Sequence, residues 1–133
     1  IKLFYRVVCA PDRINDDLPL LLFLQGGPGG ESPRPLSPTS DGWIEEAVKH
    51  FRVVLPDQRG TGRSGCVDRR TIAALGERAT AAGSDAARSQ ADFLKRHLAS
   101  SIVRDFEYLR LVVFGGKPWV TLGQSYGGFL TLS

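Results

Sequence analysis

Methionine is absent from all 133 residues, position 1 included, so the chain is expected to have lost its front or to be a piece of something longer. Cysteine occurs twice, at Cys9 and Cys66. That is too few for the disulfide framework on which small secreted domains rely, and two free thiols in a reducing, cytoplasmic compartment are expected. Histidine also occurs only twice, at His50 and His97, short of the three or four clustered ligands that a zinc site uses. No apolar run approaches the ~18 to 20 residues of a membrane-spanning helix, and Ile1 to Cys9 lacks the charged-then-apolar layout of a signal peptide. Blocks of like charge are missing as well: 17 basic and 14 acidic residues leave a net charge of +3 spread along the chain. Nucleic acid asks for a concentrated basic face. The densest basic stretch, Arg59 to Arg70, is interrupted by glycines and Asp68, so neither nucleic acid nor a membrane is expected as a partner.

What remains is a composition with 42% hydrophobic and 23% charged residues, enough for one globular core. Glycine and proline, 15 and 8 in number, are concentrated between Gly26 and Gly65, which marks built loops rather than a disordered chain. Residues 2–9 set Leu3, Tyr5, Val7 and Cys9 on one side and Phe4, Arg6 and Val8 on the other, the period of a strand. Leu18 to Leu24 is a nearly unbroken apolar run of strand length, the pattern of a strand covered on both faces. Beyond a proline-rich loop, Ser40 or Asp41 is positioned to cap a helix through Lys49 with Trp43, Ile44, Ala47 and Val48 inside. Phe51 to Leu55 reads as a third strand, and residues 71–92 as helical pieces or a mobile excursion. From Phe93, apolar residues at 94, 98, 102, 106, 109 and 113 predict one long amphipathic helix, stopped by Gly115 and Gly116. Trp119 to Gly123 reads as a fourth, buried strand, and Phe129 to Ser133 as the start of another helix. Alternating strands and helices predict an α/β fold with a largely parallel sheet.

The most specific motif is Gly123-Gln124-Ser125-Tyr126-Gly127, a G-x-S-x-G set between a predicted strand and a predicted helix. A serine at a sharp strand-to-helix turn has a strained backbone, and side chains two positions before and after it would collide, so both places want glycine. Such a turn lifts the Ser125 hydroxyl clear of the sheet, and the following amide and helix N-terminus supply positive potential near a developing oxyanion. The plainer alternative is that Ser125 merely caps the next helix. Gly26-Gly27-Pro28-Gly29-Gly30 follows an earlier strand, at the sheet edge where open α/β sheets bind ligands. Glycines there let a backbone amide reach a substrate oxygen, although a plain turn would use them too. Gly60, Gly62 and Gly65 also satisfy G-x-G-x-x-G. However, Pro56 and Asp57 separate them from their strand, Cys66 to Arg70 opens no apolar-periodic helix, and no acidic strand end follows about twenty residues on. A tight surface loop in which Asp57, Arg59 and Arg63 pair locally is expected instead.

Gln25 to Gly30, Asp57 to Ser64 and Gly123 to Gly128 together resemble, in order and spacing, the three signature blocks of the proline iminopeptidase group of α/β-hydrolases. Ser101 to Arg110 resembles the helix before the nucleophile strand, and the likeness runs from about Val7 to Leu132. It implies the N-terminal half of an α/β-hydrolase fold, with 1–133 a partial core domain, and a serine peptidase that removes an N-terminal residue, often proline, from peptides with a free N-terminus. Carried over residue by residue, it implies Ser125 as nucleophile, the amides of Gly27 and Tyr126 as oxyanion donors, and no metal or organic cofactor. Gln25 stands where the family usually has a loop-supporting histidine. The family's specificity lies largely in a cap domain, which would follow residue 133.

A serine hydroxyl needs a base to take its proton and a carboxylate to hold that base. In this fold both follow the serine in the chain, yet residues 126–133 contain neither an acid nor a histidine. His50, at a helix end, and His97, in Lys95-Arg96-His97, read as surface or boundary residues. A nucleophile strand that is last in its chain also has an open edge, which invites pairing. The 133 residues are therefore expected to lack turnover alone and to require their C-terminal half or to self-associate. An esterase or amidase of the same fold, or a non-catalytic binding module, are the alternatives.

Overall fold

The computed structural model describes residues 1–37 and 42–133. Four strands, β1 (Tyr5–Val8), β2 (Leu20–Leu24), β3 (Arg52–Pro56) and β4 (Trp119–Gly123), form one sheet in the order β1-β3-β2-β4. β2 runs parallel to both β3 and β4, whereas β1 pairs antiparallel with β3 at one edge. Five α-helices accompany the strands among the described residues, α1 (Gly42–Ala47), α2 (Arg69–Ala81), α3 (Ala86–Lys95), α4 (Ala99–Val113) and α5 (Tyr126–Thr131), with a 3-10 turn at Pro11–Arg13. The expected α/β order is the observed one. None of these helices is long and apolar enough to cross a membrane. The Ser40 or Asp41 cap expected for α1 lies outside the described residues.

β2 is buried at all five positions, as its unbroken apolar run demands. Its alternate side chains serve two cores. Leu20, Leu22 and Leu24 face α4 and α5 through Ile102, Phe106, Leu109 and Leu130, while Leu21 and Phe23 face α1 through Ile44 and Val48. Phe23 packs against Trp43 with ring centroids 4.6 Å apart. Each such aliphatic or aromatic side chain contributes about 2 kcal/mol by leaving water. β2 and β3 are thus covered by helices on both faces, and the loops after the three parallel strands are held at one edge.

Three expectations need correction. The single helix predicted from Phe93 is two, because α3 ends at Lys95 and α4 starts at Ala99, with Leu98 in extended conformation at the N-cap. Only 102, 106 and 109 of the predicted stripe face the core, whereas Leu94 and Leu98 are 48% and 58% exposed. The chain breaks there because α3 packs on α2 rather than on the sheet: Gln90 donates to the Ile72 carbonyl at 2.9 Å, over Gly76. Secondly, Cys66 to Arg70, expected to open no apolar-periodic helix, does lead into a helix at Arg69, but one in which Gly76 is the single buried residue. Asp68 caps α2 by accepting from the Thr71 amide at 2.7 Å, and that bond, with the Thr71 hydroxyl, holds its carboxyl below the ordinary value of 3.8. The cap already occupies this amide with a carboxylate, which argues further against a phosphate there. Thirdly, β4 is not buried. It lies at the open edge of the sheet, with Val120 51% and Leu122 40% exposed on the α1 side.

The α3–α4 break is clamped by Arg59, which the sequence pairs locally but the fold pairs at long range. Its guanidinium donates through Nε and Nη2 to both carboxylate oxygens of Asp105 on α4, each at 2.6 Å, and through Nη1 to the Arg96 carbonyl at the end of α3. The two side chains are only 11% and 17% exposed. Arg59→Ala would leave Asp105 largely desolvated without its partner, and a loss of about 2 to 3 kcal/mol is expected. Urea unfolding checks this, and Arg59→Lys should recover little because a lysine cannot reproduce the two-pronged contact.

Candidate active site

The parallel pairing of β2 with β4, in register from Leu20 with Trp119 to Leu24 with Gly123, brings the ends of the two strands side by side. The loop after β2 therefore meets the turn after β4. Gly26 is so close to that turn that a Cβ placed on it would lie 2.8 Å from the Gln124 carbonyl oxygen and 3.1 Å from the Ser125 Cβ.

Ser125 has φ 52° and ψ −116°, and is the one non-glycine residue with positive φ among the described residues. A residue held there stores about 1 to 3 kcal/mol of strain and persists only where its surroundings over-determine it. The surroundings do so. Gln124 donates its amide to the Leu24 carbonyl at 3.1 Å, and the Gly127 and Gly128 amides donate back to Gln124 and Ser125 at 2.8 and 2.9 Å. Ser125 is exposed, and its side chain makes no capping bond to α5. The reading of Ser125 as a plain helix cap is thereby disfavoured by geometry. α5 itself begins at Tyr126, three residues earlier than the pattern suggests, so the Tyr126 amide is in its first turn, where no intrahelical acceptor exists.

Both motif glycines are required, for different reasons. A Cβ on Gly123 would sit 2.3 Å from the Gly127 carbonyl oxygen, the collision expected across the turn. On Gly127 the obstacle is the neighbouring strand: the Leu24 carbonyl oxygen would be 1.8 Å away.

The Gly26 to Gly30 loop is shaped by polar side chains beneath it. Gln25 accepts the Gly26 amide on Oε1 and donates from Nε2 to the Glu31 carbonyl, both at 3.0 Å, bridging the loop. Gln58, 2% exposed, donates from Nε2 to the Gln25 carbonyl at 2.8 Å. Asp57, 1% exposed, accepts from the Ser32 and Arg63 amides at 3.0 and 2.8 Å and lies 3.5 Å from the Arg34 guanidinium. Gly62 has φ +47°, and a Cβ there would strike the Asp57 carboxylate at 2.3 Å. The glycines that imitate a dinucleotide fingerprint therefore wrap a buried aspartate. Of the expected local pairing, only the Arg63 amide meets Asp57, and the Arg63 guanidinium lies over the Phe4 ring instead. Sequence reasoning did not single out Gln58. Its signal, a polar residue shortly after a strand buried from Val53 to Pro56, gains meaning only when its partner is known.

The two histidines are placed elsewhere. His50 is exposed beside Glu46, 3.4 Å away. His97 bonds the Phe93 carbonyl through Nδ1 at 3.1 Å, packs at a tilt against the Phe93 ring, and lines a cavity of about 230 Å³ with Pro28 and Gly29. Neither is hydrogen-bonded to Ser125. Among the described residues no group of three or more His, Cys, Asp or Glu could hold a metal ion.

A "Proline iminopeptidase" of Aeromonas sobria is 46% identical over 133 residues, which is all of this chain but 28% of the relative. "Proline iminopeptidase aneH" of Aspergillus aculeatus is 34% identical over 140 residues, again across the whole chain and 29% of the relative. The chain thus spans under a third of the length of either relative. The family profile described as alpha/beta hydrolase fold matches residues 19–133, from the start of β2 through the serine turn, and with this architecture the chain belongs to the alpha/beta hydrolase fold family.

Proposed function

We propose that the protein carrying this chain is a serine aminopeptidase that releases an N-terminal residue, with proline favoured, from peptides with a free N-terminus. The observation that supports it most is Ser125, exposed and uncapped on a strained turn whose neighbouring loop carries the Gly27 amide. Neither the Gly27 nor the Tyr126 amide donates to an acceptor among the described residues, which leaves both for a substrate oxygen. In the reaction, Ser125 Oγ attacks the scissile carbonyl while a base removes its proton. The Gly27 and Tyr126 amides take the charge that develops on the carbonyl oxygen, and one such donor is worth about 10² to 10³ in turnover. The C–N bond then breaks, the base returns its proton to the leaving amine, and water hydrolyses the acyl-enzyme by the same route in reverse.

The base and its carboxylate come from polypeptide beyond Ser133, as does the cap that selects substrate. The length by which the two relatives exceed this chain is ample for both. The exposed edge of β4, with Val120 and Leu122, supports the same reading, since an apolar strand edge calls for a partner strand. A cytoplasmic location belongs to the proposal and rests on the sparse cysteines.

The test is made on the full-length protein with a fluorophosphonate probe and with aminoacyl-nitroanilides against simple esters. Labelling at Ser125 and preference for prolyl-nitroanilide are expected. Preference for esters would transfer the site to an esterase, and absence of labelling in a folded protein would make it a binding module.

A further inference from the structure

The peptide group joining Gln25 to Gly26 is held at both ends by glutamine side chains. Its carbonyl accepts from Gln58 Nε2 at 2.8 Å, and its N–H donates to Gln25 Oε1 at 3.0 Å. The next peptide group along the chain carries the Gly27 N–H, which has no acceptor among the described residues. With the first plane pinned, the aim of the Gly27 N–H is set by rotation about Gly26 alone, a residue so close to the serine turn that a Cβ on it would lie 2.8 Å from the Gln124 carbonyl oxygen. Gln58 is in turn enclosed and anchored. It is 2% exposed, and its own carbonyl is fixed by the Thr61 amide at 3.0 Å and hydroxyl at 2.9 Å. A donor fixed in advance needs no reorientation when charge develops, which is the source of its effect on rate.

We infer that Gln58 is a positioning residue for the reaction, orienting the Gly27 amide through the Gln25–Gly26 peptide without itself touching substrate. The inference rests on the proposed reading of Ser125 and Gly27. The role requires a donor at Nε2, so Gln58→Leu removes it, while Gln58→Glu replaces it with a group that donates only when protonated. An interaction that matters in the transition state alone appears in kcat and not in KM.

The experiment uses the full-length protein, with active sites counted by fluorophosphonate so that rates refer to folded enzyme. Gln58→Leu is expected to lower kcat by roughly 10- to 100-fold, part of the worth of one oxyanion donor, with KM changed less than about threefold. Gln58→Glu is expected to be similarly impaired at the alkaline end of the pH profile, where its carboxyl is ionised. Its rate relative to the unsubstituted enzyme should rise as pH falls and the buried carboxyl, which burial pushes above the ordinary glutamate value, takes up the proton it donates, whereas the Gln58→Leu ratio stays flat. Should Gln58→Leu fail to fold, the pH-dependent recovery of Gln58→Glu decides alone. Unchanged kcat per labelled site in either variant, or a Gln58→Glu ratio independent of pH, overturns the inference while leaving Ser125 in place. Absence of labelling in the unsubstituted protein overturns both.

Discussion

Ser125→Ala in the full-length protein is expected to lower kcat by about 10⁶-fold, the scale of losing a nucleophile that acts as a unit with its base. Fold and stability should be retained or slightly improved. Alanine keeps the Cβ that already fits beside Gly26, and the lost hydroxyl makes no capping bond to α5. Steady-state assay with prolyl-nitroanilide and urea unfolding of the same sample check the two halves of this expectation. Turnover within tenfold of the unsubstituted protein would remove Ser125 from the chemistry, because water or a neighbouring side chain does not replace an acyl-forming oxygen at that rate.

Gly127→Ala is expected to be the most damaging single methyl in the chain. Its Cβ would stand 1.8 Å from the oxygen and 2.5 Å from the carbon of the Leu24 carbonyl, and 3.1 Å from the Gln25 carbonyl oxygen. These are backbone atoms of a fully buried strand, so no side chain can swing away. The Leu24 carbonyl is also the acceptor for the Gln124 amide, and moving it would undo the turn. A loss of about 3 kcal/mol or more is expected, a large share of the 5 to 15 kcal/mol that holds a typical domain together. Gly128→Ala is the control. Its Cβ would meet only the Gly123 carbonyl oxygen at 3.7 Å, an ordinary contact, and in α5 alanine is favoured over glycine by up to about 1 kcal/mol. Denaturant midpoints should therefore shift in opposite directions for neighbouring glycines, and equal shifts would contradict the close approach of α5 to β2.

Much of the fold was legible because local patterns and burial agree. The apolar run at 18–24 could be satisfied only by a strand covered on both faces, and β2 is that strand. The two-residue spacing of glycine around Ser125 has a steric reason that holds in any fold with such a turn. The long helix from Phe93 was misread because Leu94 and Leu98 fit a stripe of period 3.6 without facing the core. Periodicity reports which residues share a helix face, not whether the helix continues, and the Arg59 clamp that seats the break comes from nearly forty residues earlier in the chain. β4 was misread in the same way. An apolar segment of strand length signals that burial is wanted, while the sheet order decides whether a neighbour is present to supply it.

The sequence by itself determined the α/β order, the strand-turn-helix around Ser125 and the loop of glycines before it, since each depends on residues adjacent in the chain. Only the tertiary structure decided that these two loops touch, that the strained serine is exposed and uncapped, and that Gln58 and Asp57 are buried beneath the neighbouring loop. The register of β2 against β4 and the approach of Gly26 to Ser125 join residues about a hundred positions apart. Such contacts are fixed by the packing of two cores on one sheet, and no local pattern of side chains carries that information.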